Sequence, residues 1–122
     1  MSHIVTIRTE VRDPAAIQAA CDRLSLPVAK FRSVQLFSST VEGWAVELRD
    51  WRYPIVCNVR QGKVHFDNYN GRWGSQDRLD QFLQGYAVEK AKLEARRKGY
   101  SVLEQLREDG SIKLTVNLGV GT

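Results

Sequence analysis

The chain has 122 residues, 43% hydrophobic and 26% charged, with 18 Lys and Arg against 14 Asp and Glu for a net charge of +4. That suits one domain over residues 1–122, able to bury a core without disulfide or metal staples. No apolar run approaches the ~18 residues of a membrane span, so no membrane partner is expected, and collagen, coiled-coil and low-complexity patterns are absent.

Residues 3–9 are short and β-branched, which predicts a strand. Asp13-Pro14 then offers an N-cap and an N1 proline for a helix through Leu24. Ile17, Ala20, Cys21 and Leu24 fall on one apolar face, and Pro27 forbids continuation. From Ser33 to Asp67 the pattern becomes short alternating runs. Residues 34–37 and 44–48 read as strands around a turn at Glu42-Gly43, and residues 55–59 and 63–67 as strands around Gln61-Gly62. Trp51-Arg52-Tyr53-Pro54 joins the two hairpins.

Asn68–Gly74 is rich in turn formers yet carries Tyr69 and Trp73. Ser75 is placed to cap a long helix over 76–98, closed by Gly99. Its stripe is Leu79, Phe82, Leu83 and Tyr86, narrowing to Ala87, Ala91 and Leu93 among charges. Such a helix is about 34 Å long, so its basic end is expected to project past the sheet. Residues 101–108 satisfy two patterns, a capping box at Ser101-x-x-Glu104 and a strand. Glu108-Asp109-Gly110 before the alternating Ile112–Val116 favours a hairpin with a three-residue loop. Val102 and Leu106 would then share a face with Ile112, Leu114 and Val116, Glu104 being the one misfit. The fold expected is α+β, a mainly antiparallel twisted sheet with two helices packed on one face.

Several segments are distinctive together: Met1–Ile4, Trp51–Pro54, Phe66–Gly74, Tyr86–Lys90 and Asp109–Ile112. Over nearly the whole chain they make it resemble an uncharacterised bacterial family, domain of unknown function 1257. That family is similar to a hypothetical open reading frame (ycf thirty-five) of cyanobacterial and plastid genomes. The resemblance brings no activity with it. It implies a cytoplasmic or stromal protein whose gene sits near ATPase and ferredoxin genes. A component of a larger assembly, one that could contain an ATPase, follows from it, with a protein partner or a second copy of the chain.

Three constellations could carry function. The first joins two loops. Tyr69 and Trp73 offer rings and Arg72 a bidentate donor, while Trp51-Arg52-Tyr53 repeats the theme. Aromatic residues and arginines on loops are the usual anchors of an interface. The plain packing alternative has Tyr69 and Trp73 tucked beneath the long helix, with Trp51 and Tyr53 capping the meander. On the interface reading Trp73→Ala weakens partner capture and leaves unfolding unchanged. The second constellation is the basic helix end: Lys90, Lys92, Arg96, Arg97 and Lys98. Here nucleic-acid contact through Lys92, Arg96 and Arg97 competes with a solvated face that complements the helix dipole. The third is His65 with Asp67, two residues apart on a strand, with Cys57 or His3 as helpers for an enzyme or metal site, against the favoured plain reading of polar residues on the wet face of an antiparallel sheet.

No Walker, GxGxxG, HExxH or GxSxG motif is present, so neither a cofactor nor a catalytic or metal-binding set is assigned. Cys21 and Cys57 lack a CxxC partner, and the first residues lack the basic and apolar regions of a signal peptide. Reduced buried thiols in a cytoplasmic protein are therefore expected. The leading reading is a non-catalytic interaction module, ahead of nucleic-acid binding and of an enzyme using His65 and Asp67.

Overall fold

The computed structural model describes residues 4–8 and 10–118. In chain order the elements are β1 (Ile4–Arg8), α1 (Pro14–Arg23), β2 (Lys30–Gln35), β3 (Thr40–Val46), β4 (Ile55–Asn58) and β5 (Lys63–Asp67). A short 3-10 turn (Tyr69–Gly71), α2 (Gln76–Arg97), β6 (Ser101–Leu106) and β7 (Ile112–Asn117) follow. The first five strands pair antiparallel in the order β1-β5-β4-β3-β2. The expected α+β architecture is what the chain adopts.

Alternation along the strands sends side chains to two sides. Val46, Ile55, Cys57, Val64 and Phe66 pack with Ile17, Ala20 and Cys21 of α1 and with Leu79, Phe82 and Tyr86 of α2. Val34, Leu36, Ala45 and Val56 form a second, smaller cluster with Tyr53 on the other face. Asp13 caps α1 by accepting the Ala15 amide at 2.9 Å, and Pro14 sits at its first position. The Tyr86 hydroxyl accepts the Arg12 and Asp13 amides at 3.1 and 3.0 Å, tying the start of α1 to α2.

One turn lies elsewhere than expected. Glu42 and Gly43 are inside β3, and the chain reverses at residues 36–39, where the Leu36 amide donates to the Ser39 carbonyl at 2.8 Å. Gly43 is in a strand because the partner backbone comes too close for a side chain: a Cβ there would stand 2.6 Å from the Cys57 carbonyl oxygen. Strand β2 accordingly begins earlier, at Lys30, as an edge whose residues are exposed except Val34.

Residues 101–106 are strand. The Arg107 amide donates to the Ser111 carbonyl at 2.8 Å, closing a loop over 108–110 with Gly110 at φ +86°. Val102, Glu104 and Leu106 stand opposite Val116, Leu114 and Ile112. This hairpin does not join the main sheet; it is a separate two-stranded sheet lying on the helices. The Gln84 amide donates to the Gly110 carbonyl at 3.1 Å, and Lys92 pairs with Glu104 at 3.4 Å. Gln84, Val88, Lys92 and Ala95 recur at helical spacing, on a face of α2 roughly opposite the Leu79–Phe82–Tyr86 stripe. Val88 and Ala95 are buried there, whereas Ala87 and Ala91, expected on the narrowing stripe, are exposed. The molecule is thus layered as sheet, helix pair and hairpin.

Helix α2 ends as its sequence predicts. The Gly99 amide donates to Arg96 at 3.0 Å and the Tyr100 amide to Ala95 at 2.9 Å, with Gly99 at φ +80°. At the other end Ser75 has extended backbone, but its side chain makes no capping bond.

Candidate functional site

Beyond β5 the chain turns sharply. Tyr69, Asn70 and Gly71 take φ of 46°, 53° and 91°, a left-handed run that asparagine and glycine tolerate. Asn68 organises it. Its carbonyl accepts the Gly71 and Trp73 amides at 3.0 and 2.9 Å, and its buried side-chain amide donates to the Gly74 carbonyl at 3.2 Å. The effect is to swing Trp73 back toward the β3–β4 connection.

There the two loops expected to carry the site do meet. The Arg52 amide donates to the Trp73 carbonyl at 2.8 Å. Trp51 and Tyr53, two residues apart, point to different layers. Trp51 turns toward the helix side, edge-on to Phe66 at 5.7 Å, with its indole N–H on the Ser75 carbonyl at 3.0 Å. Gly74 lies flat against the Trp51 ring, where a Cβ would overlap it. Tyr53 turns to the other side and meets Trp73 at 5.7 Å.

Trp73 is the hub of the cluster. Around it stand Tyr69 at 4.8 Å, Phe37 at 5.3 Å and Tyr53 at 5.7 Å between ring centroids, in tilted or edge-to-face contact. The Arg52 guanidinium carbon lies 4.7 Å from its ring centre, and that of Arg72 lies 5.0 Å from the Tyr69 ring. Both arginines are exposed, while Trp51, Tyr69 and Trp73 are half-buried. Trp73 therefore does not tuck under the long helix; Trp51 takes that inner position. Nor is Trp73 a mere surface ring, since it holds three other rings and a guanidinium together. Phe37, 52% exposed, belongs to this cluster although nothing at the sequence level singled it out. The available signal was a large aromatic beside Ser38-Ser39 in the turn.

The basic helix end is another matter. Lys90 pairs with Asp13 at 3.0 Å and Glu94 at 2.7 Å, Lys92 with Glu89 and Glu104 at 3.4 Å, and Arg97 with Asp13 and Glu94 at 3.6 Å. Lys92 is only 20% exposed. The end does not project as expected, because β6 and the start of α1 bring carboxylates against it. Arg96 and Lys98 make no ion pair among the described residues. Arg23 completes this network, bonding Glu104 at 2.6 Å and Glu89 at 3.1 Å. The Arg23 guanidinium, opposed by desolvation and helped by Lys92, holds the Glu104 carboxyl down to about 2.

His65, Asp67 and Cys57 are not gathered. His65 and Asp67 share the sheet face away from the helices, while Cys57, paired in register with Val64, belongs to the helix side. Asp67 is fully buried; its Oδ1 accepts the Tyr69 amide at 3.3 Å and its Oδ2 has no partner among the described residues. That second oxygen therefore does not orient the His65 ring. Desolvation, then the charge of Lys63, lowers the His65 pKa. Both cysteines are free and buried, and burial raises the Cys57 thiol to about 12 and Cys21 to about 11. His3 lies outside the described residues. Among the described residues no cluster of His, Cys, Asp and Glu is arranged to hold a metal, and no helix is long and apolar enough to cross a membrane. No protein-family model, curated protein or solved structure matches this chain.

Proposed function

We propose that this chain is a non-catalytic interaction module of a protein assembly, docking through the cluster of Phe37, Tyr53, Tyr69 and Trp73 with Arg52 and Arg72 at its rim. Membership of the uncharacterised family it resembles belongs to the same proposal, resting on motifs that include Trp51–Pro54 and Phe66–Gly74. The observation that carries the docking reading is the stacking of both exposed guanidiniums over the rings, at 4.7 and 5.0 Å. Aromatic planes pre-order the arginines, so a partner's carboxylate or backbone carbonyl meets donors that have lost little freedom on binding. Anchors of this composition dominate protein interfaces.

Nucleic-acid binding is the second reading, and it has less support at the helix end, where carboxylates already engage Lys90, Lys92 and Arg97. Native mass spectrometry of the chain captured gently from its own cells tests the first reading. A protein partner or second copy is expected to survive moderate salt, and to be lost in the Arg52→Ala/Arg72→Ala double variant, which stays folded with a stability loss of only about 1–2 kcal/mol. A bare monomer from the wild type refutes it. Nucleic acid that co-purifies at low salt and leaves at high salt would transfer the assignment to the second.

A further inference from the structure

Between the end of α1, the turn after β3 and the first turns of α2 lies a cavity of about 160 Å³, lined by Leu24, Leu26, Leu48, Arg49, Arg78 and Gln81. It adjoins a shallower one of about 450 Å³ that shares Leu26, Leu48, Arg49 and Arg78. The wider volume is of the size that holds small ligands. Local backbone builds the walls. Ser25, at φ +56°, closes α1 with its amide on the Asp22 carbonyl at 3.1 Å, and the Leu26 amide returns to Cys21 at 2.8 Å. That closure directs Leu24 and Leu26 into the cavity. Across it, Asp50 at φ +61° turns the chain after Arg49.

The polar lining comes from Arg49 in the β3–β4 connection and from Arg78 and Gln81 of α2. Arg78 is half-buried, and its guanidinium makes one long hydrogen bond, 3.4 Å to the Gln81 side-chain oxygen. Neither Arg78 nor Arg49 makes an ion pair among the described residues. Glu47 and Asp50 line only the wider outer part. Arg12, Arg23 and Arg97 meet carboxylates of the chain itself, whereas Arg49 and Arg78 belong with the larger set of arginines that, among the described residues, do not. Two arginines and three leucines among the six lining residues, with no carboxylate in the inner cavity, match an amphiphilic anion: one charged oxyacid head and a short aliphatic tail.

We infer that this cavity binds a small aliphatic carboxylate, its head on Arg49 and Arg78 and its tail on Leu24, Leu26 and Leu48. The site shares no lining residue with the aromatic cluster and does not depend on the docking proposal. A dianion with no tail is disfavoured because the leucines would strip its hydration without repaying it.

The test is a titration of the full-length, isotope-labelled chain with isocaproate, followed through backbone amide shifts. Inorganic phosphate and the neutral isocaproamide serve as comparison ligands. Saturable shifts centred on residues 24–26, 48–49 and 78–81 are expected with isocaproate, with affinity at least about tenfold weaker for the other two. Arg49→Gln and Arg78→Gln should each weaken isocaproate by about tenfold. Arg49 is exposed, so its variant keeps the test decisive even if Arg78→Gln perturbs folding. The inference fails if isocaproate gives no saturable shift, if the amide or phosphate binds as well, or if the folded Arg49→Gln variant binds like the wild type.

Discussion

Trp73 shows how one side chain divides its work between packing and presentation. It is half-buried and in contact with Phe37, Tyr53, Tyr69 and Arg52. Trp73→Ala should therefore cost about 3 kcal/mol, contrary to the sequence-based expectation of unchanged unfolding. Arg52→Ala and Arg72→Ala remove only exposed cation–π contacts, about 0.5–1 kcal/mol each. Urea unfolding of the three variants separates these magnitudes; equal losses would show that Trp73 is not the hub. Gly74 is a sharper case. Any Cβ there overlaps the Trp51 ring, so Gly74→Ala should cost about 2 kcal/mol or more and shift Trp51 fluorescence. A Gly74→Ala variant as stable as the wild type would mean that Trp51 has room to retreat.

At the scale of elements, the hairpin of β6 and β7 is held to the helices by a few polar links, chiefly Glu104 on Arg23 and Lys92. Glu104 looked like a misfit on an apolar face. Its role became visible only once that face was laid against α2 rather than added to the main sheet. Its folded-state carboxyl titrates near 2 against an ordinary value of 4.5. The bridge's contribution is therefore complete above about pH 4.5 and is lost as the pH falls toward 2. Glu104→Gln should destabilise the hairpin at pH 7 and make no difference at pH 2, as read from amide exchange of residues 101–117. A destabilisation equal at both pH values would assign Glu104 a packing role instead. Strand β2 illustrates the converse. As an edge strand exposed at every position but Val34, it has no period-two burial to leave in the sequence, so its start at Lys30 was not legible.

For the molecule as a whole, burial is uneven. The side chains packed to below 2% exposure lie between Val11 and Phe82, in the main sheet, the helices and the segments that join them, whereas Leu103 and Leu106 of the hairpin are 59% and 78% exposed. Native-state hydrogen exchange should show β3–β5 and α2 opening only with global unfolding, and β6–β7 opening at lower free energy. Uniform protection across both sheets would contradict this layering. The same whole-molecule arrangement neutralises the basic helix end. Nucleic-acid binding that relied on Arg96 and Lys98 alone would show a salt slope of only about −2, and a much steeper slope would mean that the ion pairs give way to phosphates.

Although residues 101–108 fitted helix and strand alike, the sequence by itself determined what is local: α1 between its Asp13 cap and Pro27, the Gly99 end of α2, and the alternating strands of an α+β fold. Each follows from backbone preference or periodicity within a few residues. Tertiary structure alone decided what depends on distant neighbours. It put Gly43 inside a strand because β4 passes too close for a side chain, and placed the last hairpin on the helices instead of the sheet. It also brought Arg52 and Trp73 together, and carboxylates from the cap of α1 and from β6 onto α2's lysines. Spacing along a chain encodes which face a residue occupies, but not which other face will be laid against it.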